Sequence, residues 1–116
     1  MKWIALLALT LLIACQSRIE HAEADWGTDL PSALEAAAPE KQNVLLDFTG
    51  SDWCPPCKAL QQNVLSQPVF KNAAPKTFIL LFVDNPRDKS HQSAAEQTQY
   101  KELAQQYKVT GVPTVF

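Results

Sequence analysis

The chain has 116 residues, of which 47% are hydrophobic and 19% are charged, and its formal net charge is −2. This length predicts a single domain, and the apolar fraction is typical of a globular core. The slightly acidic balance argues against nucleic-acid binding and against a polybasic membrane patch. With 3 cysteines, the chain has too few for a disulfide framework.

The N-terminus has the pattern of an export signal. Lys2 precedes the apolar stretch 3–14, which is shorter than the roughly 20 residues that a membrane span requires. Two alternative ends of this signal are predicted. Leu12-Ile13-Ala14-Cys15 resembles a bacterial lipobox, in which the cysteine is acylated, and Ala22-Glu23-Ala24 has the form of a signal-peptidase site.

The domain organisation follows from this signal. Residues 1–24 are predicted to be signal and tether, and residues 25–116 to be a domain that works in the periplasm or cell envelope, where disulfides persist. A lipid anchor at Cys15 is the one membrane attachment that we expect. The alternative, a buried N-terminal helix, is disfavoured because the apolar stretch has no amphipathic spacing.

Four helical segments are predicted after the signal. They cover 30–37, 54–65, 68–74 and the region that follows a capping-box pattern at 93–96, and Asp29 is expected to cap the first. Their inward-facing residues share helical spacing. These residues are Leu30, Ala33, Leu34 and Ala37 in the first helix, Cys57, Leu60 and Val64 in the second, and Tyr100, Leu103, Ala104 and Tyr107 in the last.

Two short apolar runs, 44–49 and 78–83, predict strands that are buried on both faces. A third strand is expected within 109–116. The alternation of strands and helices predicts an α/β fold with a parallel sheet covered by helices. The last strand stops without a turn or a polar tail, so we expect the sequence to be a fragment.

The stretch Trp53-Cys54-Pro55-Pro56-Cys57-Lys58 contains a C-x-x-C pair. This spacing is found in half of a zinc site, in a structural disulfide and in a redox-active dithiol. A redox dithiol needs an ionised thiol and a second thiol close enough to resolve the mixed disulfide. A cysteine at a helix N-terminus gains thiolate character from unpaired N–H groups and from the helix dipole, and the second cysteine lies one turn away.

These requirements assign different roles to the two cysteines. Cys54 stands at the start of the predicted helix and is expected to be the nucleophile, whereas Cys57 lies inside the helix and is expected to resolve the mixed disulfide. Pro55 and Pro56 fit the first helical turn and stiffen it. Lys58 adds positive charge, although a lysine there is equally compatible with a solvated surface.

From about residue 44 to 116, the chain resembles thioredoxin-fold thiol–disulfide oxidoreductases, in particular exported bacterial members. The C-x-x-C stretch is similar to their W-C-G-P-C-K site, with Pro55 in place of the glycine. Gly111-Val112-Pro113-Thr114 resembles their G-[IV]-P-T segment, whose proline is cis and packs beside the active-site disulfide. Asp47 matches a buried acid behind the resolving cysteine.

The resemblance implies a three-layer α/β/α fold with a mainly parallel central sheet. The last strand and helix of that fold are missing, so the domain is expected to be truncated at the C-terminus. The resemblance also implies no cofactor other than the redox-active disulfide and no metal. It makes Asp47 the proton acceptor for Cys57 and Pro113 the cis-proline beside the site.

This sequence departs from the family pattern at two further places. Asp47 lies seven residues before Cys54, one more than is common in the family, so Asp52 is a second candidate for the proton acceptor of Cys57. The segment 84–92 is longer than usual and contains His91, which we expect to be solvated.

The preferred function is reduction or isomerisation of disulfides in exported proteins, with a membrane thiol-electron carrier as redox partner. Lys58 and the double proline favour the reducing direction through the resemblance. A structural zinc site is disfavoured because it needs four ligands and only Cys15, His21 and His91 remain. A redox-inert interaction lipoprotein with a fixed Cys54–Cys57 disulfide is the other alternative.

Overall fold

The computed structural model describes residues 26–116. The export signal, both of its predicted ends and the domain boundary before Asp25 lie outside the described residues. Among residues 26–116, no helix has the length and apolar character that a membrane span needs.

The first helix, α1, spans Leu30–Ala37. Asp29 caps it as predicted, because its carboxylate accepts a hydrogen bond from the Ser32 backbone N–H at 2.9 Å. Ala33 and Ala37 face the core. The prediction that Leu34 belongs to the buried face is wrong, since its side chain is 54% exposed. Two small alanines let this helix lie close to the sheet, and Leu34 is turned to its flank.

Three strands form the sheet, in the order β2-β1-β3. They are β1 at Asn43–Thr49, β2 at Phe78–Asp84 and β3 at Thr114–Val115. Strands β1 and β2 are parallel, whereas β3 runs antiparallel to β1. The expectation of a third strand within 109–116 is therefore confirmed, whereas the parallel direction expected from the alternation of strands and helices is wrong for this strand.

The register explains the direction of β3. Thr114 pairs with Phe48 and Val115 with Asp47, and Phe116 exchanges backbone hydrogen bonds with Leu46. The chain therefore joins β1 at the carboxyl end of that strand and runs back along it. The segment 107–113 leads to the carboxyl end of β1. The turn toward Cys54 starts at the same end.

One face of the sheet packs against α1 and against α4, which spans Ala94–Gln106. Aligned residues of β1 and β2 supply the sheet side of this core, because parallel partners share a face. The core residues are Ala33, Leu46, Phe48, Leu81, Val83 and Leu103. The capping box predicted for α4 is present, with Ser93 and Glu96 each bonding the backbone of the other.

Phe48 is the centre of an aromatic cluster on this face. Its ring is fully buried and contacts the rings of Tyr100, Tyr107 and Phe116. Tyr107, predicted to be in the buried stripe, is 40% exposed and reaches the core only by its ring. The cluster fixes the end of α4 against β1 and β3.

On the opposite face of the sheet, Thr49 and Phe82 line a cavity together with Cys57 of α2, which spans Pro55–Leu60, and α3 spans Pro68–Ala73. The ring of Trp26 joins this layer, stacking on Phe70 and meeting the edge of Phe82 from β2. A 3-10 turn at Ala74–Lys76 then leads into β2. The sheet thus lies between two helical layers.

The second predicted helix does not continue regularly to Leu65. After α2 the chain forms a π-helical turn at Gln61–Leu65, in which the Ser66 N–H bonds the Gln61 carbonyl five residues back. The wider turn rotates the following side chains. Leu65 is therefore buried at 4% exposure, and the prediction of Val64 as the inward residue is wrong, since it is 45% exposed.

This shift can be tested with two neighbouring substitutions. Leu65→Ala is expected to lower the free energy of unfolding by about 2–5 kcal/mol, because it leaves a cavity in the core. Val64→Ala serves as the control and is expected to stay within about 0.5 kcal/mol of the wild type. Urea unfolding of both variants measures the difference. A larger cost for Val64→Ala than for Leu65→Ala would contradict the π-helical register.

Candidate active site

Cys54 and Cys57 form a disulfide at the start of α2, with their Cα atoms 5.2 Å apart. Cys54 is the N-cap residue of the helix and Cys57 lies in its first turn. Both residues are buried, at 3% and 4% exposure. The sequence predicts that Cys54 is an accessible nucleophile. In the structure only a small part of its surface is exposed to solvent.

The local sequence explains why a helix begins at Cys54. Pro55 and Pro56 occupy the first two helical positions, where a backbone N–H has no partner within the helix and a fixed φ suits the turn. The Cys57 backbone N–H then donates to Cys54 Sγ at 3.2 Å. In the reduced state the same donor and the positive helix end favour the Cys54 thiolate.

The segment before β3 meets this disulfide from the other side. The carbonyl oxygen of Val112 lies 3.7 Å from Cys54 Sγ, and the peptide bond between Val112 and Pro113 is cis. The Thr114 hydroxyl donates to the Gly111 carbonyl at 2.7 Å and closes the turn around the proline. Two motifs that are 58 residues apart in the chain thus meet at one sulfur.

Asp47 lies in β1 on the face that α2 covers, and it is 2% exposed. Thr49, on the same face, lines a cavity together with Cys57. Among the described residues, Asp47 Oδ1 has no hydrogen-bond partner. Burial, and secondly the negative charge of Asp84, raise the pKa of Asp47 to about 6. The structure therefore holds a buried carboxyl group behind Cys57 that titrates close to neutral pH.

Asp52, the second candidate for proton acceptor, has a different environment. Its side chain is exposed, and its carboxylate accepts hydrogen bonds at 2.9 Å from the backbone N–H groups of Arg87 and Asp88. These bonds, that of Asp88 first, lower the pKa of Asp52. The carboxylate is thus occupied by the segment after β2, which leaves Asp47 as the buried acid behind α2.

Sequence reasoning missed the contacts that join the turn 50–53 to the segment after β2. The Trp53 indole N–H donates to the Asn85 carbonyl at 2.9 Å, and the Arg87 guanidinium lies 5.5 Å from the centre of the Trp53 ring. Ser51 bonds the Asp84 carboxylate through its backbone N–H at 3.0 Å and also through its hydroxyl. The unusual length of 84–92 was the one sequence signal for this arrangement.

Gly50 allows the Trp53 ring to lie against the backbone of this turn. A Cβ atom at position 50 would overlap the indole, so a side chain there would displace it. The two remaining charged candidates are peripheral, since Lys58 is exposed on α2 and His91 is exposed in its loop. In the part of the chain that the structure describes, no three His, Cys, Asp or Glu side chains are arranged to hold a metal ion.

Comparison with known proteins matches residues 25–116 to a family model described as thioredoxin-like. Disulfide bond reductase DsbH of Chlamydia pneumoniae is 40% identical over 81 residues, which cover 70% of this chain and 48% of that protein. Thioredoxin-related protein DsbJ of the same organism is 26% identical over 118 residues, covering 97% of this chain and 33% of that protein. The chain thus spans half or less of these curated relatives.

A solved structure described as DsbH oxidoreductase superposes with a TM-score of 0.72 at 35% identity, covering 78% of this chain and 62% of that one. The predicted α/β fold class and the family resemblance are therefore confirmed.

The raised pKa of Asp47 predicts a pH dependence of stability. Below pH 3.8, its ordinary value, the carboxyl group is protonated in both states. Stability is lost between about pH 3.8 and 6, because the unfolded chain ionises there while the buried group keeps its proton, and the loss is complete above about 6. Asp47→Asn cannot ionise. We therefore expect its stability relative to the wild type to increase, by up to about 3 kcal/mol, between about pH 4 and pH 7.

Urea unfolding of the oxidised protein across this pH range measures the effect. Asp29→Asn is the control with the opposite sign, because the Ser32 side-chain hydrogen bond lowers the pKa of Asp29. That variant is expected to lose stability relative to the wild type only as the pH rises toward 3.8, so between about pH 4 and pH 7 its difference from the wild type stays nearly constant. A difference between Asp47→Asn and the wild type that does not change with pH would contradict a buried, titrating Asp47.

Proposed function

The chain belongs to the thioredoxin-like family, and we propose that it is a thiol–disulfide oxidoreductase that reduces or isomerises disulfides in exported proteins. The observation that carries the proposal is the position of the Cys54–Cys57 disulfide. It lies at a helix N-terminus, with a backbone N–H on Cys54 Sγ and the Val112 carbonyl 3.7 Å from the same sulfur. A partner disulfide that reaches Cys54 meets a sulfur whose thiolate is stabilised before reaction.

The proposed reaction starts from the reduced pair. The Cys54 thiolate attacks one sulfur of the partner disulfide, forms a mixed disulfide and releases the other partner sulfur as a thiolate, which takes up a proton. The Cys57 thiolate then attacks Cys54 Sγ, closes the Cys54–Cys57 disulfide and releases the second partner sulfur. The partner gains two electrons and takes up two protons from solvent. The pair loses two electrons and the Cys57 proton, and the Cys54 proton has left before the first attack.

Asp47 is proposed to accept the proton of Cys57 in the second step. Resolution requires the Cys57 thiolate, because the thiol is a poor nucleophile. A carboxylate with a pKa of about 6 accepts a proton at neutral pH and returns it to solvent without a large barrier. Its free Oδ1 and its location on the face covered by α2 support this role. Pro113 and Val112 would orient the partner chain beside Cys54.

The reducing direction is preferred. One relative carries the name disulfide bond reductase, and the exchange needs no bound cofactor. A reductant outside the cytoplasm must be reduced again after each cycle, and we propose a membrane thiol-electron carrier for this step. The substrates are proposed to be exported proteins that carry disulfides or thiols.

The export signal is proposed to be processed at one of two sites. Either Cys15 is acylated and anchors the chain to the membrane, or a signal peptidase cuts after Ala24. Mass spectrometry of the N-terminus of the mature protein separates these cases. An unprocessed N-terminus at Met1 in cells would contradict export by either route.

The burial of both cysteines supports a second candidate, a redox-inert interaction protein with a structural disulfide. Their 3% and 4% exposure would protect such a bond from reduction. The two candidates differ in whether the pair exchanges electrons with other thiols.

Cys54→Ser is expected to abolish reduction of insulin disulfides by the full chain, because it removes the attacking sulfur. Cys57→Ser is expected to accumulate a mixed disulfide through Cys54, visible as a covalent adduct on non-reducing gels. Cys15→Ser is the control thiol and is expected to keep full activity. Insulin turbidity measures all three variants, and full activity of Cys54→Ser would contradict the proposed function.

A further inference from the structure

A network of hydrogen bonds ties the turn before Cys54 to the segment after β2. The Asp52 carboxylate accepts the backbone N–H groups of Arg87 and Asp88, both at 2.9 Å. The Trp53 indole donates to the Asn85 carbonyl at 2.9 Å, and Arg87 lies over the Trp53 ring. These partners are 32 to 36 residues apart in sequence, so the network is tertiary and not part of a local turn.

Each carboxylate oxygen of Asp52 accepts one backbone hydrogen bond. Oδ1 binds the Arg87 N–H and Oδ2 binds the Asp88 N–H, so one carboxylate fixes two successive peptide groups. This fixes the backbone of Arg87, whose guanidinium then lies 5.5 Å from the centre of the Trp53 ring. Trp53 in turn precedes Cys54 directly in the chain.

The opposite side of Cys54 is held by Val112 and the turn around Pro113. Cys54 as a whole is only 3% exposed, so a partner protein must fit closely between these two sides to reach the sulfur. A small disulfide has no such requirement. The side that contains Trp53 and Arg87 is held by the bonds just described, together with the two bonds from Ser51 to the Asp84 carboxylate.

We propose that Asp52 is a positioning residue for disulfide exchange with protein substrates. Its carboxylate holds Arg87 and Asp88 so that Trp53 and Arg87 form a fixed surface beside Cys54, against which the partner chain is bound. This inference rests on the proposed oxidoreductase function and extends it, because it assigns selectivity for protein over small disulfides to one exposed carboxylate.

Asp52→Asn tests the proposal. An amide keeps the size of the side chain but replaces one acceptor oxygen by an NH₂ group, so one of the two backbone N–H groups loses its partner. The rate constant for insulin reduction is expected to fall by about three- to tenfold, the effect of one lost hydrogen bond. The rate constant for a small disulfide, oxidised glutathione, is expected to change less than twofold.

Asp88→Asn is the matched control. It removes a charge of the same sign from the segment that Asp52 binds, its carboxylate is bonded to the backbone N–H and the side chain of Ser90, and the substitution keeps the Asp88 backbone N–H that Asp52 accepts. We expect both of its rate constants to stay close to those of the wild type. A change in thiolate stability would alter the rates with insulin and with glutathione together, so the ratio of the two rates separates positioning from a change at the sulfur.

A second measurement needs no substrate. The Trp53 indole N–H bonds Asn85, and its hydrogen exchange reports whether the segment is held against the ring. Asp52→Asn is expected to speed this exchange by about tenfold or more, and Asp88→Asn to leave it unchanged. The Trp53→Phe variant assigns the signal by its loss.

The outcomes are distinct. A selective loss with insulin in Asp52→Asn, together with faster indole exchange, supports the proposal. If the wild type is active but Asp52→Asn and Asp88→Asn have the same rate constants and the same indole exchange, the role proposed for Asp52 is overturned and the proposed function stands. A wild type with no Cys54-dependent reduction of insulin overturns the proposed function, and this inference falls with it.

Discussion

The active site depends on the position of strand β1, which is hydrogen-bonded on both edges and buried on both faces over its carboxyl half. Its pairing with β2 brings Asp84 beside Thr49 and so places the following segment next to the turn before Cys54. Its pairing with β3 brings Val112 and Pro113 to the other side of the same cysteine. A shift of this strand by one residue would exchange its two faces and move Asp47 out of the layer beneath α2.

The environment of Cys54 combines burial with electrostatic stabilisation. Burial alone disfavours a thiolate, whereas the Cys57 N–H and the helix N-terminus favour it. Asp47 is buried without comparable donors, and burial, followed by the charge of Asp84, raises its pKa to about 6.

Local patterns in the sequence predict most of the elements. The capping residues Asp29 and Ser93, both long strands and the C-x-x-C at a helix start depend on neighbours within a few residues, and all are present. Three features depend on contacts distant in the chain and were not predictable. These are the π-helical turn that buries Leu65, the antiparallel direction of β3 and the bonds of Asp52 to the backbone of Arg87. The signal and lipid anchor stay predictions.

The central claim is that the Cys54–Cys57 pair exchanges electrons with other thiols, and its equilibrium with glutathione tests this most directly. Catalytic pairs of this fold and related oxidoreductases have potentials of roughly −120 to −270 mV, whereas structural disulfides lie below about −300 mV. We expect the pair to lie within the catalytic range and to equilibrate with glutathione within minutes. A potential well below −300 mV would contradict the account and favour a structural disulfide.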